Sequence, residues 1–242
     1  MARRPALPFS LENSAHSLAV ATVAVSVVSG LMRQSGSDIL SFAPARVLSA
    51  LEVWRPFTSL FVASNPLEVI FGALIIYSIG GILLARWGRK TFLRLALGIP
   101  LTAEAIVLVL ALVAPQSIGG RIYTGTGSVL TTLWILYGLM SWFSGQMLNF
   151  WGTPISGKTF ALIGLGFVVL SAVFGDFRWV LPDLISAGLC YAYMYRGRSG
   201  RLTQRIELAY YSWKLERLKK RSKLRVVKGS RDDNSDPSSN IH

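Results

Sequence analysis

The chain has 242 residues, of which 52% are hydrophobic and 15% are charged, and its formal net charge at pH 7 is +13. Soluble domains carry about 25% charged residues, so the composition argues against a soluble protein. Cys190 is the single cysteine, and the two histidines, His16 and His242, lie near the ends of the chain. This pattern excludes a disulfide framework, and we expect neither a metal site nor a cofactor.

The first part of the chain predicts one span followed by a long interfacial loop. Residues 1–14 are polar and form a cytoplasmic N-terminal segment, and Ala15 to Met32 is an apolar run that predicts a first membrane helix. A signal peptide is the alternative, but no A-x-A cleavage site follows. Arg33 to Ala63 mixes apolar and polar residues, which predicts short helices in the headgroup region.

Five further apolar runs have the length of membrane helices. They are Leu67–Ala85, Leu95–Ala114, Gly127–Leu148, Thr159–Phe174 and Val180–Tyr195. Their connections are predicted as a basic turn, a polar loop and a Gly/Pro turn, at 86–90, 115–123 and 149–158. The chain is therefore predicted to be an all-α, polytopic membrane protein with six spans in a domain of residues 15–195.

The positive charge is concentrated on one predicted side of the membrane. The turn at 86–90 and the tail after Tyr195 are basic, whereas the loops that contain Trp54, Arg121 and Asp176 are not. The positive-inside rule therefore places both termini in the cytoplasm. An even number of spans agrees with this orientation.

The tail after the last span, residues 196–228, is predicted to be basic, amphipathic and cytoplasmic, with a helix over Arg201–Leu224. Thirteen Lys or Arg and two acidic residues lie between Arg196 and Arg231. We expect the segment Arg201–Arg231 to bind anionic lipid or a cytoplasmic protein, and we expect no nucleic acid. A topology anchor with a solvated tail is the simpler alternative. Residues 229–242 are rich in Ser, Asp and Asn and are predicted to be disordered.

The loop before the second span carries the most specific motif in the chain. Trp54 and Arg55 are followed by Thr58 and Phe61, which resembles the W-R-x-x-T-x-x-F signature of the rhomboid superfamily of intramembrane proteins. The resemblance covers roughly Leu51 to Tyr195 and implies a rhomboid-like helical bundle. It leads us to expect an architectural role for Arg55, bound to loop carbonyls, and for Trp54 as a headgroup anchor.

The groups that carry catalysis in active rhomboids are replaced in this chain. In the register that the resemblance implies, Glu68 and Gly72 stand at the histidine and asparagine positions of the second span. Gly127, in the sequence Gly125-Thr126-Gly127-Ser128, stands at the position of the nucleophilic serine. Ile185 takes the position of the base histidine, with Asp183 nearby. The resemblance therefore implies an inactive member of the derlin or iRhom type.

Three acidic residues, Glu104, Glu68 and Asp183, are candidates for client binding or for polar groups within the membrane, and Ser128 is a candidate nucleophile. Glu104 lies near the middle of the third span, where an ionisable side chain is costly. It is predicted either to contact client helices or a water cavity, or to form an internal hydrogen-bonded tie; the expected partners are Tyr77, Ser78, Thr131 or Thr132. Ser128 is a candidate displaced nucleophile with Asp183 or Glu104 as its base, and a helix-start serine bonded to backbone is the alternative.

Small residues near the proposed helix contacts are expected to allow close packing in lipid. They are Gly72, Gly80, Gly81, Gly125, Gly127, Ala187 and Gly188.

The resemblance implies a pseudoprotease that binds transmembrane segments of client proteins, through an opening between the second and fifth spans. An active intramembrane serine protease with an atypical site at Ser128 is the first alternative, and a protein that handles lipid or a small solute is the second. We expect a bacterial inner membrane, or an ER or Golgi membrane if the chain is eukaryotic.

Overall fold

The computed structural model describes residues 14–34, 36, 38–150 and 152–196. The predicted tail and disordered C-terminus lie outside the described residues, except for Arg196, and so does the predicted N-terminal segment except for Ser14. The described chain is mostly helical. Its helices are α1 (Ser14–Gln34), α2 (Pro44–Ala50), α3 (Arg55–Ser59), α4 (Pro66–Val113), α5 (Thr126–Ser144), α6 (Gly157–Phe174) and α7 (181–196), and its strands are β1 (Met147–Phe150) and β2 (Thr153–Ser156).

Helix α4 consists of two arms that fold back on each other at Gly88. Its 48 residues would extend about 72 Å if they were straight. Gly88 has φ 76° and ψ 164°, a backbone conformation that interrupts the helix and suits glycine. A methyl group added at Gly80 would lie 3.3 Å from the ring of Phe92. Residues 66–87, the first arm, therefore pack against residues 89–113, the second arm, as the basic turn at 86–90 predicted.

Helices α5 and α6 approach each other closely through small residues. A methyl group added at Gly138 would lie 2.8 Å from Ala161, and one added at Gly157 would overlap the backbone of Trp142. Close backbone approach of this kind is a common way for helices to pack in membranes. The indole of Trp134 donates a hydrogen bond to the Phe160 carbonyl at 2.8 Å across the same interface. Gly138 and Gly157 were not among the small residues expected at helix contacts.

A β-hairpin replaces part of the predicted fourth span and the turn after it. Helix α5 ends at Ser144, and Gly145 follows in the left-handed conformation with φ 68°, a common helix stop. The predicted helix through Leu148 is therefore wrong at its end. Strands β1 and β2 pair antiparallel, with Leu148 opposite Ile155. The bundle is thus not all-α in the described residues.

The remaining loops contain more structure than was predicted. The interfacial loop forms the short helices α2 and α3, as expected. The predicted polar loop at 115–123 begins with one π-helical segment, Pro115–Gly119, and a 3₁₀ helix, Phe177–Val180, precedes α7.

Two apolar clusters form the interior. The larger cluster joins α1, both arms of α4, α5, α6 and α7. The smaller cluster contains Phe42, Val47, Val107 and Tyr123, with Ile185 packed against it. Within the part of the chain that the structure describes, three helices, α1, α4 and α6, are long and apolar enough to cross a membrane.

Candidate functional site

The first loop is held together by the buried guanidinium of Arg55. Its Nη1 donates to the carbonyl oxygens of Asp38 at 2.9 Å and Ser41 at 2.8 Å, and its Nε donates to the Glu52 carboxylate. Arg55 is only 2% exposed. The planar donor set of arginine can reach several acceptors at once. The geometry agrees with the expected architectural contacts to loop carbonyls.

Two other residues of the motif, Thr58 and Trp54, contact the preceding part of the loop and the surroundings of the protein, respectively. Thr58 Oγ1 donates to the Leu40 carbonyl at 2.8 Å. Trp54 is half-exposed, as are its apolar neighbours Val53 and Phe57. Exposed tryptophan beside exposed apolar residues is typical of a segment at the membrane–water boundary.

Glu104 is fully buried and is bonded to the first loop. Ser59 Oγ, at the end of α3, lies 2.8 Å from Glu104 Oε1 and 3.0 Å from Oε2. The four expected partners were wrong, since none of their hydroxyls is hydrogen-bonded to this carboxyl: for example, Ser78 Oγ donates to its own helix at Leu74, 2.7 Å away. Within the described residues, the geometry favours an internal tie over a hook exposed to client helices.

The start of α5 lies between the hydrogen-bonded pair Ser59–Glu104 and helix α7. The Gly125 N–H donates to the Ser59 carbonyl at 2.8 Å. A methyl group added at Gly125 would lie 2.6 Å from Glu104 Oε1, and one added at Gly127 would lie 3.3 Å from both Asp183 carboxylate oxygens. Ser59, Glu104, Gly125, Gly127 and Asp183 form the polar cluster around which the loop and three helices meet.

Ser128 is buried and directed at the backbone. Its Oγ donates to the Gly125 carbonyl at 2.7 Å, three residues earlier in the chain. This is the helix-start arrangement that was the alternative to a nucleophile. His16, the histidine within the described residues, is stacked on Tyr77 at a centroid distance of 4.5 Å. Within the described residues, the Ser128 hydroxyl is therefore not hydrogen-bonded to a side chain that could act as a general base.

Asp183, rather than Ile185, faces Gly127. Ile185 packs against the smaller apolar cluster around Phe42, on another side of α7. The register of the resemblance placed Ile185 at the histidine position, whereas the structure brings a carboxylate to the position opposite Gly127. Gly127 therefore faces a carboxylate, and Ile185 faces an apolar cluster.

Glu68 caps the start of α4. Its backbone N–H donates to Asn65 Oδ1 at 2.9 Å, and its Oε2 accepts a hydrogen bond from the Ser64 N–H at 2.7 Å. This reciprocal arrangement resembles a capping box and satisfies backbone donors at a helix start. The described hydrogen bonds of Glu68 therefore stabilise the start of helix α4.

The expected close packing of small residues is found at some positions and missing at others. Methyl groups added at Gly72 and Gly80 would meet neighbouring side chains at 3.5 Å and 3.3 Å. At Gly81 and Gly188 a methyl group would meet nothing within 4 Å, so close contact at those two positions was a wrong expectation. Ala187 is buried in the larger apolar cluster.

A second group of contacts, missed from sequence, joins the loops at the end of the bundle near α2. Phe42 and Tyr123 form an isolated antiparallel bridge, with hydrogen bonds of 2.9 Å and 2.7 Å between their backbones. Arg121 forms a 2.6 Å ion pair with Asp176 and lies over the ring of Trp179. Burial raises the pKa of Tyr123. No motif spacing connects these residues, so only the three-dimensional contacts reveal them.

The fold and the buried polar cluster define a polytopic, predominantly helical integral membrane protein. Its described polar groups mainly join loops to helices. The chain belongs to the family described as "Eukaryotic integral membrane protein (DUF1751)", which matches residues 16–198. Neither a curated protein nor a solved structure matches the chain. Because the family is eukaryotic, the expectation of a bacterial inner membrane has no support.

Proposed function

We propose that this chain is a rhomboid-like pseudoprotease that binds transmembrane segments of client membrane proteins. The motif at Trp54, Arg55 and Thr58 and its contacts in the first loop support the rhomboid-like architecture. Gly127 opposite Asp183, with Ser128 bonded to backbone, supports the loss of proteolysis. The ER or Golgi membrane is the proposed location, because the family is eukaryotic.

Six spans are proposed for the bundle. The two arms of α4 supply two of them, since a 30 Å hydrocarbon core takes about 20 helical residues and the chain reverses at Gly88. With α1 and α6, the helices α5 and α7 complete six. The basic turn at 86–90 and the basic tail support cytoplasmic termini through the positive-inside rule.

The observation that carries the client-binding proposal is a pair of uncovered apolar faces on either side of α5. The first arm of α4 contacts α5 through Gly72 beside Leu130, and α6 contacts α5 through Ala161 beside Gly138. Away from these contacts, both elements expose large apolar side chains. Those more than half exposed are Leu67, Ile70, Phe71 and Leu74 on the first arm and Leu162, Phe167, Leu170, Val173 and Phe174 on α6.

Lipid covers such faces in a resting membrane protein, and a client helix would replace that lipid. Within the membrane, helix association depends on packing and on hydrogen bonds between helices rather than on apolar burial. Half-buried Asp183 beside Gly127 lies at the end of this region and has no hydrogen bond among the described residues. We therefore expect client helices with one polar residue to bind better than wholly apolar ones.

Site-specific photo-crosslinking to a defined helix tests this proposal. Benzoylphenylalanine is placed at Leu74 and at Phe167, and at Val109 on the second arm, which is equally exposed, as the matched control. The purified protein is reconstituted with a single-span Leu/Ala helix that carries either one Asn or none. We expect crosslinks at Leu74 and Phe167 that are several-fold stronger with the Asn helix. Crosslinks at Val109 that are as strong as those at Leu74 and Phe167 would show random collision in the bilayer and would contradict the proposal.

A further inference from the structure

A cavity of about 650 Å³ opens at the end of the bundle that carries the β-hairpin. It lies between the end of the first arm of α4, the end of α5 and strand β1, and we name it the hairpin pocket. Its polar lining is Arg86, Tyr137, Ser141, Gln146 and Asn149. Its volume is in the range of small-molecule sites.

Two of the polar residues that line the pocket have unused hydrogen-bonding capacity. Arg86 is exposed and donates one long hydrogen bond, from Nη1 to Gln146 Oε1 at 3.3 Å. A guanidinium has five N–H donors, so most of them remain available to an acceptor in the pocket. Ser141 is 1% exposed, and its Oγ has no hydrogen-bond partner among the described residues. A buried hydroxyl without a partner is destabilising, and an acceptor ligand would satisfy it.

The rest of the wall is apolar, and the pocket sits where helices leave the membrane. Ile82, Met140 and Leu148 line the apolar side. Helix α5 ends at Ser144, and the neighbouring Trp142 ring is exposed, with Lys158 Nζ 5.8 Å from its centroid. Tryptophan beside lysine is characteristic of the headgroup level of a bilayer. A ligand in the hairpin pocket would therefore contact the Arg86 guanidinium at one end and apolar side chains at the other.

We propose that the hairpin pocket binds the phosphate group of an anionic phospholipid. Arg86 donates to phosphate oxygens, Ser141 Oγ donates the buried hydrogen bond, and the start of an acyl chain lies along Ile82 and Leu148. Guanidinium and phosphate are geometrically matched, and the interaction is charge-assisted. The site is separate from the proposed client-binding faces and stands whether or not clients bind there.

Calorimetric titration of the full-length protein in dodecyl maltoside tests this assignment with dioctanoyl phosphatidic acid as the probe. Arg86→Gln removes the cation of the pocket. Lys90→Gln is the matched control, because it removes one charge from the same turn at a residue that does not line the pocket. Ala85→Phe fills the pocket at a lining residue and leaves every charge in place.

We expect Arg86→Gln to raise the Kd of the saturable site at least about tenfold, and Ala85→Phe to remove that site. Lys90→Gln should stay within about twofold of the unmodified protein, and dioctanoyl phosphatidylcholine should bind at least tenfold more weakly. The proposal is overturned if the Arg86 and Lys90 variants change binding equally, since the probe would then sense diffuse charge that includes the tail. It is also overturned if Ala85→Phe binds normally, or if inorganic phosphate displaces the lipid at the lipid's own concentration.

Discussion

Ser59 Oγ lies 2.8 Å from Glu104 Oε1, although the two residues are 45 positions apart in the chain. The bond joins the short helix α3 of the first loop to the second arm of α4, in the interior of the bundle. Because both residues are fully buried, neither can exchange its partner for bulk water. A loop that would otherwise lie loosely at the membrane surface is thereby fixed to a membrane helix.

A double-mutant cycle measures this bond. Ser59→Ala and Glu104→Leu are made singly and together, and the free energy of unfolding is followed in mild detergent. We expect each single variant to be less stable by about 1–3 kcal/mol, because each leaves a buried polar group without its partner. The double variant should be less destabilised than the sum by about 1 kcal/mol. Additivity within about 0.3–0.5 kcal/mol would show that the pair is not coupled.

Gly125 and Gly188 are expected to respond oppositely to replacement by alanine. At Gly125 the new methyl group would lie 2.6 Å from Glu104 Oε1 and 2.8 Å from the Leu60 backbone nitrogen, which cannot move aside freely. Overpacking of this kind typically costs about 1–3 kcal/mol. At Gly188 the methyl group meets nothing, and alanine favours helix over glycine by about 1 kcal/mol.

Thermal unfolding of the two alanine variants provides the measurement, and each serves as the control for the other. Gly125→Ala should unfold at a clearly lower temperature than the unmodified protein, and Gly188→Ala at the same or a higher one. A stable Gly125→Ala variant would mean that the start of α5 is not packed tightly against the first loop and the second arm of α4.

The sequence predicted the helical runs well because their apolar composition is local information. The first arm and the basic turn at 86–90, which contains Gly88, followed from run length and charge alone. The partner of Glu104 did not, because a hydrogen bond between residues 45 positions apart leaves no trace in local spacing. The fourth span was predicted too long because Met147 and Leu148 are apolar, and apolar residues occur in strands as well as in helices. In addition, the sequence does not distinguish the left-handed Gly145 that ends α5 from a glycine inside a membrane helix.

The candidate site was predicted only in part, again because local sequence does not show contacts between distant residues. The motif around Arg55 identified the first-loop contacts from sequence. The choice between Asp183 and Ile185 depended on how α7 is rotated, and one residue along a helix turns the side chain by about 100°. The hairpin pocket depends on strands that the sequence did not predict.

Arg55→Lys is expected to loosen the first loop even though the charge is kept. Lysine cannot reach the carbonyls of Asp38 and Ser41 and the carboxylate of Glu52 in one planar arrangement. We expect a loss of about 1–3 kcal/mol in stability and faster protease cleavage between residues 33 and 63. Arg46→Ala is the matched control, since Arg46 is exposed and lies 4.0 Å from Glu52; it should change stability by less than about 0.5 kcal/mol. Equal cleavage of the two variants would contradict the role given to Arg55.

Asp176 should make stability depend on pH in the acid range. The Arg178 backbone N–H, and then the Arg121 guanidinium, hold the pKa of this carboxyl below its usual range. A folded pKa below the unfolded value of about 3.9 means that the contribution is present above that value and is lost as the pH falls through the folded pKa. The difference in unfolding temperature between the unmodified protein and Asp176→Asn should therefore be larger at pH 7 than at pH 3. A difference that grows towards low pH would have the wrong sign.

Ser128 should be inert towards reagents for serine hydrolases. Its hydroxyl is buried and donates to the Gly125 carbonyl at 2.7 Å, so neither its position nor its hydrogen bond prepares it for attack. Purified protein exposed to a fluorescent fluorophosphonate should give the same background labelling as Ser128→Ala. An active rhomboid protease treated in parallel shows that the reagent reaches a membrane-embedded serine. Labelling that disappears in Ser128→Ala would establish an activated serine here and would favour a protease over a protein that only binds its clients.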